Sequence, residues 1–211
     1  MPFLNLTMQK LSSFFNTIAS SWLLFLFSVL FAVASNILIY YISSPLNTFI
    51  NNDIIPDLWF GFTSDKLYEL YDTWGSLGRA TYVKTALCDF FPFMPAYTIF
   101  LGSILTFAAK QAGYYTDKNG RSKNSVVVVA VLLILMFDWI ETGILLVSCY
   151  TYPAYQLSST VMRIASAANQ MKWIFVAGTI LSFVSLVSLA VMFPACKTKQ
   201  TTAPSHLKKI S

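Results

Sequence analysis

Four long and mostly apolar segments dominate the chain, at residues 21–42, 84–109, 125–149 and 171–194. An α-helix rises about 1.5 Å per residue, so about 20 residues cross a hydrocarbon core about 30 Å thick. The composition agrees, because 56% of the 211 residues are hydrophobic and only 11% are charged. The sequence therefore predicts an all-α, polytopic membrane protein with one domain, a four-helix transmembrane bundle over residues 21–194.

The first 20 residues have a different pattern. Apolar side chains recur at helical spacing, which predicts an amphipathic helix lying on the membrane surface; these are Leu4, Met8, Leu11, Phe15 and Ile18. The apolar segment that follows is longer than the core of a secretory signal, so we expect a retained span. A mitochondrial-type presequence is the alternative, although its only basic residue is Lys10.

Charge is distributed unevenly between the connections. Basic residues fill the loop after the second span and the tail at residues 195–211, whereas acids outnumber bases in the first loop, residues 43–83. The positive-inside rule then places both termini in the cytoplasm and the first loop in the lumen. The last four residues, Lys208-Lys209-Ile210-Ser211, look like a dilysine retrieval signal and favour the endoplasmic reticulum. The overall charge of +5 is explained by topology, and we expect no nucleic-acid partner.

Part of the first loop is predicted to be helical. Ser64 is a candidate N-cap, and an apolar stripe of Leu67, Tyr68, Tyr71 and Trp74 precedes Gly75. Such a helix, rich in aromatic residues, is expected to rest at the headgroup level. It would be either a structural flap over the bundle or a lid over a pocket.

Acidic residues inside the apolar segments carry the functional hypothesis. Asp138 and Glu141 lie one helical turn apart in the third span, and Asp89 lies in the second. A carboxylate at the centre of a bilayer costs roughly 2.5–3.5 kcal/mol on insertion scales, so it is expected to face a partner, a cavity or a substrate. We expect Asp89, Glu141 and Asp138 at about 8, 12 and 17 Å below the luminal surface, with Asp138 paired or protonated. The predicted buried polar cluster comprises Asp89, Asp138, Glu141, Asn36, Lys84, Lys172, Tyr82 and Arg79.

Metal, cofactor and disulfide chemistry have little support in the sequence. The only histidine is His206 in the tail, so no metal-ligand spacing exists, and no pair of the three cysteines falls in the first loop. We expect no cofactor. The expected partners are membrane lipids, together with a protein partner or a second copy of the chain.

A set of residues between Trp59 and Trp173 resembles a family of uncharacterised four-span membrane proteins. The residues that carry this resemblance are Gly78-Arg79-Ala80-Thr81-Tyr82, Asp89, Pro92, Tyr97, Asp138-Trp139-Ile140-Glu141, Tyr152-Pro153 and Lys172-Trp173. That family commonly has Asn after the second acid of the third span, where this chain has Thr142. The resemblance implies a topology and a choice of residues, and it brings no activity.

The second span also has a weaker likeness. Its residues 87–97, with an acid followed by prolines at Asp89, Pro92 and Pro95, are similar to a helix of the sterol isomerase and sigma-2 receptor (EXPERA) superfamily. Those four-span proteins hold a lipophilic, cation-like ligand against buried acids, so the likeness implies ligand binding as an analogy.

Two functions therefore remain open. The first is a structural or accessory membrane component, whose buried acids pair with Lys172, Lys84, Arg79 or Asn36 to fix the register of the helices. The second is a binding protein or isomerase for a sterol or amine, which would use Asp89 and Glu141 to stabilise positive charge. A proton or ion relay is a third and weaker alternative, and the sequence does not decide whether the protein is an enzyme.

Overall fold

The computed structural model describes residues 2–49, 55–113 and 125–192, and these residues are almost entirely helical and contain no strand. The α-helices are α1 (Pro2–Ser20), α2 (Trp22–Ser43), α3 (Ser64–Cys88), α4 (Met94–Gln111), α5 (Ser125–Thr151) and α6 (Ser159–Met192). Short 3-10 helices lie at Ser44–Thr48 and Pro56–Leu58, and a π-helical turn at Asp89–Phe93 joins α3 to α4. The predicted all-α fold is confirmed.

Four helical stretches are long and apolar enough to cross a membrane: Trp22–Leu46, Ser64–Gln111, Val126–Thr151 and Ser159–Met192. The chain is thus an integral, multi-pass membrane protein built on a four-helix bundle. We call the end of the bundle that carries residues 43–49, 55–63 and 152–158 the first-loop end. Helices α5 and α6 form the most extensive packed pair, and α4 packs against α1, α2, α5 and α6.

The helices extend beyond the predicted spans at the first-loop end. Helix α6 begins at Ser159 rather than near residue 171, and α3 begins at Ser64 rather than near residue 84. Hydropathy misses these turns because their inner faces pack on protein: Tyr71 and Trp74 of α3 and Met162 of α6 belong to one buried cluster. Most of the described part of the predicted first loop is therefore helical.

The N-terminus of α3 differs from the prediction by one residue. Its N-cap is Thr63, whose hydroxyl accepts a hydrogen bond from the amide of Lys66 at 3.4 Å, and Ser64 is the first helical residue. The predicted apolar stripe does precede a break, because Gly75 is not helical and two helical segments of α3 meet there at a kink. Its φ of 61° is left-handed, and glycine adopts such a φ at little cost.

The π-helical turn leaves backbone carbonyls that the neighbouring helices satisfy. Pro92 lies inside this turn and has no amide to donate. The indole N–H of Trp139 donates to the carbonyl of Phe90 at 3.4 Å, and the hydroxyl of Ser35 donates to the carbonyl of Pro92 at 3.5 Å. Contacts of this kind allow irregular backbone at membrane depth.

Helix α1 forms as predicted, but its apolar face contacts the bundle. Phe15 is 2% exposed and belongs to a second buried cluster with Leu105 of α4 and Val128 and Val131 of α5. Helix α1 is thus held at the end of the bundle opposite to the first-loop end. The tail at residues 195–211, with its dilysine sequence, lies outside the described residues, as do the basic residues Lys118, Arg121 and Lys123.

Gly102 permits the close approach of α1 and α4. A Cβ atom at this position would overlap the ring of Phe15, whereas a Cβ at Gly178 of α6 would have nothing within 4 Å. We expect Gly102→Ala to lower the free energy of unfolding by about 1–3 kcal/mol, the usual cost of overpacking. Thermal melts in detergent measure this effect, with Gly178→Ala as the matched control. Equal melting temperatures for the two variants would contradict the proposed packing of α1.

Candidate functional site

A buried lysine joins the two acids that stand one turn apart on α5. The Nζ atom of Lys172 on α6 lies 3.0 Å from Oδ1 of Asp138 and 2.6 Å from Oε2 of Glu141. The side chain of Glu141 is 0% exposed, and those of Lys172 and Asp138 are each 9% exposed. One positive charge therefore faces two carboxyl groups in a medium from which water is largely excluded.

The remaining oxygens of both acids also have partners. The side-chain amide of Asn169, one turn before Lys172, donates to Oε1 of Glu141 at 2.6 Å. The hydroxyl of Tyr97 on α4 donates to Oδ2 of Asp138 at 2.6 Å. Each carboxyl group is thus held on both oxygens, and α4, α5 and α6 meet at this network.

The segment that precedes α3 packs onto the same part of α6. We call residues 55–62 the strap. The carbonyl of Asp57 accepts hydrogen bonds from Lys172 at 3.2 Å and Asn169 at 3.4 Å, and the amide of Gly61 donates to Oδ1 of Asn169 at 2.8 Å. The amide of Phe62 donates to the hydroxyl of Ser166 at 2.8 Å. The strap is thereby fixed by backbone groups to the side chains of α6.

Gly61 allows this close contact with α6. Its φ is 84°, and a Cβ atom there would overlap the side chain of Gln170. A glycine meets both conditions, since it has no Cβ and adopts positive φ freely.

The side chain of Asp57 points to another helix. The hydroxyl of Tyr82 on α3 donates to both oxygens of Asp57, at 3.0 and 3.2 Å. Burial raises the pKa of Asp57 above its ordinary value of 3.8, although the Lys172 ammonium and the Tyr82 hydroxyl act in the opposite direction. The strap therefore contributes a fourth acid to the site.

Asp89 is held less firmly than the other acids. Its recorded hydrogen bond, within the part of the chain that the structure describes, comes from the hydroxyl of Thr142 at 3.4 Å. This contact places the polar face of α3 opposite the polar face of α5, as their helical spacing predicts. Thr142 thus supplies the hydrogen bond to the acid.

A cavity of about 600 Å³ opens beside this network. Asp57, Asp89, Asp138 and Lys172 lie on its wall, and Asn36 and Ser43 line the side formed by α2. The rest of the lining is largely apolar and aromatic, and includes Phe93, Tyr97, Phe100 and Trp173. Glu141 is not on the wall. A second cavity of about 830 Å³ lies between α4, α5 and α6 near the opposite end, and the described residues that line it include none with a charge.

The predicted cluster is brought together only in part. Asp89, Asp138, Glu141, Lys172 and Tyr82 lie in or beside the network. Lys84 is exposed, because Tyr82 and Thr85 occupy the inward face of α3, and the turn of about 100° per residue directs Lys84 to the other side of the helix.

Arg79 and Asn36 lie apart from the network. Arg79 donates to the carbonyl of Tyr71 at 2.9 Å and lies over the ring of Tyr152. Asn36 is exposed at the edge of the cavity.

Three contributors were missing from the predicted cluster: Asn169, Tyr97 and Asp57. Asn169 and Lys172 are spaced by three residues, so the spacing rule that was applied to α5 would also have identified Asn169 on α6. Tyr97 appears in the pattern that resembles a known family, but nothing in its spacing points to Asp138. Asp57 was counted only as a loop charge.

The charges of the site suit a cation. Four acids and one base meet here among the described residues, so acids outnumber bases around the cavity. Among the described residues, no group of three or more His, Cys, Asp or Glu side chains is arranged to hold a metal ion.

No protein-family model matches the chain, and no curated protein or solved structure is significantly similar to it.

Removing the base of the network tests its electrostatic role. Lys172→Met leaves Asp138 and Glu141 buried together without a counter-charge, so we expect a loss of about 3–5 kcal/mol in the free energy of unfolding. Thermal melts in detergent provide the measurement, and Lys84→Met on the exposed side of α3 is the matched control. If the two variants melt alike, Lys172 does not hold the network together.

The pH dependence of stability tests the burial of Asp57. Because the pKa of Asp57 is raised in the folded protein, its stabilising contribution is complete below 3.8 and is lost as the pH rises through the folded-state pKa. We expect the wild type to lose stability relative to Asp57→Asn as the pH is raised from 3.8, until Asp57 is ionised in the folded state. Asn keeps an acceptor for Tyr82, and Asp65→Asn on the surface of α3 controls for the lost carboxyl group. A constant difference in melting temperature across the titration would contradict this assignment.

Proposed function

We propose that this membrane protein binds a small amphipathic ligand with a positive charge, such as a sterol-like or lipophilic amine. The observation that carries this proposal is Asp89, a carboxyl group on the wall of a cavity of about 600 Å³ that has, in the described ranges, a single weak hydrogen bond. The other acids of the site are occupied by protein partners. Asp89 is therefore the group that a ligand cation would meet.

The rest of the cavity supports the same class of ligand. Its volume lies within the range of about 300–1,000 Å³ that is typical of small-molecule sites, and its lining combines apolar walls with a few polar groups. The aromatic rings of Phe93, Tyr97 and Trp173 lie on these walls and favour a cation over their faces.

Binding fits the arrangement better than isomerisation does. An isomerase would use a second, free acid in contact with the ligand, and Glu141 was the predicted choice together with Asp89. Glu141 is completely buried behind Lys172 and does not line the cavity. Asp138 does line it, but its two oxygens are held by Lys172 and Tyr97. We assign to Asp89 the role of binding the cation of the ligand. Lys172, Asn169 and Tyr97 are positioning residues that hold the neighbouring wall of the cavity in place.

A structural or accessory role is the second candidate. The observation that favours it is the network itself, which ties the strap, α4, α5 and α6 together at one point. Broad apolar faces of α2 and α6 are exposed, and they would contact lipids, a protein partner or a second copy of the chain. The resemblance to uncharacterised four-span membrane proteins is compatible with both candidates.

The location of the protein is a further part of the proposal. The basic second loop and tail support cytoplasmic termini, and the terminal Lys208-Lys209-Ile210-Ser211 supports residence in the endoplasmic reticulum. The first-loop end, and with it the cavity, would then face the lumen.

Ligand binding by an Asp89 variant separates the two candidates. Asp89→Asn replaces the charge with a group of the same shape, and we expect it to weaken binding of lipophilic amines about tenfold or more, since a hydrogen bond to a charged group contributes about 1.5–3 kcal/mol. Equilibrium binding of a panel of sterols and amines to the purified protein measures this change, with Asp65→Asn as the control. Unchanged amine affinity in Asp89→Asn would overturn the ligand proposal. If no panel member binds the wild type and Lys172→Met loses a co-purifying partner, the accessory role is favoured.

A further inference from the structure

The cavity lies between α2 and α6, two helices that pack mainly against other helices and not against each other. Its wall includes Ile39 and Tyr40 of α2 on one side, and Trp173 and Val176 of α6 on the other. Helix α2 packs against α1, α3 and α4, whereas α6 packs against α5, α4 and α3. In the described residues, α2 and α6 form no extended interface with each other, so the cavity is bordered there by a lateral gap.

The level of the cavity follows from the aromatic residues of α2. Trp22 at one end of this helix is 74% exposed, and Tyr40 and Tyr41 at the other end are 71% and 77% exposed. From Trp22 to Tyr41 the helix rises about 28 Å, which matches the thickness of a hydrocarbon core, and exposed Trp and Tyr side chains favour the headgroup regions. The cavity is lined by the last two turns of α2, from Asn36 to Ser43, so its outer part lies at the headgroup level of the first-loop end. Its inner part reaches Leu101 of α4 and Ile134 of α5, closer to the middle of the membrane.

The strap covers the side of the cavity that faces the first-loop end. Ile55, Asp57 and Leu58 form part of its wall, and the backbone of Asp57 is held by Lys172 and Asn169. A ligand that entered the cavity past these strap residues would have to break those hydrogen bonds. A ligand that entered through the gap between α2 and α6 would leave them intact.

We propose that the cavity takes its occupant sideways from the bilayer, and that the occupant is a membrane lipid with an ammonium headgroup. This inference rests on the proposed function, because it uses the same acid, Asp89, as the partner of the cation. The headgroup lies inside the cavity beside Asp89, and the chains leave through the gap between α2 and α6. A free amine dissolved in water shares the cation but has no chain to place in the gap.

Photocrosslinking in bilayers tests this proposal directly. The full-length protein is reconstituted in phosphatidylglycerol vesicles that carry a small fraction of phosphatidylethanolamine with a diazirine near its headgroup, and labelled peptides are identified by mass spectrometry. We expect labelling of cavity residues, and a loss of about tenfold or more in Asp89→Asn. Diazirine-bearing phosphatidylglycerol should label the outer faces of the helices only.

Substitutions at the gap distinguish a lipid from a soluble amine. Ile39→Trp and Val176→Trp fill the gap from opposite sides, and each is expected to reduce cavity labelling about as much as Asp89→Asn does. Ile180→Trp is the matched control, because Ile180 is exposed on α6 and does not line the cavity. Thermal melts show whether each variant folds. Because the two gap variants are independent, a folding defect in one of them leaves the other to test the proposal.

The possible outcomes separate this inference from the proposed function. If both gap variants keep the label, and free ethanolamine competes for the wild-type cavity, the occupant comes from water. The lateral route is then overturned, while the proposed binding of a cation stands. If Asp89→Asn is labelled as strongly as the wild type, both proposals fail.

Discussion

The pairing of Lys172 with Asp138 and Glu141 is the constraint on which the first-loop end of the structure depends. A single buried charge without a partner costs several kcal/mol, so each of these groups must be placed against another. A buried ion pair often adds little net stability compared with apolar residues of the same size. Its main effect here is therefore specificity: only one register of α5 against α6 places both acids on the lysine and leaves Asn169 and Tyr97 to complete their hydrogen bonds.

Much of this arrangement could be predicted from helical periodicity. Asp138, Glu141 and Thr142 recur on one face of α5, and Tyr82, Thr85 and Asp89 do so on α3, because offsets of three and four residues return to the same side. The depth of a residue along its span predicted membership of the cluster less well than helical periodicity did. Lys84 was assigned to the cluster because it lies near the end of a span, yet its helical phase turns it outward between two inward-facing residues. Hydropathy also underestimated the lengths of α3 and α6, since it detects contact with lipid and not contact between helices.

The contacts of the strap could not be predicted from the sequence, for a different reason. Its bonds to α6 join residues more than 100 positions apart, and they are made mostly by backbone groups of Asp57, Gly61 and Phe62. Backbone groups have no sequence signature except where geometry excludes a side chain, as it does at Gly61. The carboxyl group of Asp57 therefore looked like one surface charge among several, although Tyr82 and Lys172 enclose it.

A division of roles among the acids follows from these contacts. Asp138 and Glu141 are fixed on both oxygens, so they have little freedom to respond to a ligand, and Glu141 is sealed from the cavity altogether. Asp89 stands on the irregular turn beside Pro92, where the backbone departs from the α-helix, and among the described residues it has one long hydrogen bond. A purely structural acid at this depth would be expected to have partners as complete as those of its neighbours. The network holds the surrounding wall in place once the protein is folded. The proposed interaction of Asp89 with a cation would therefore not require the site to reorganise.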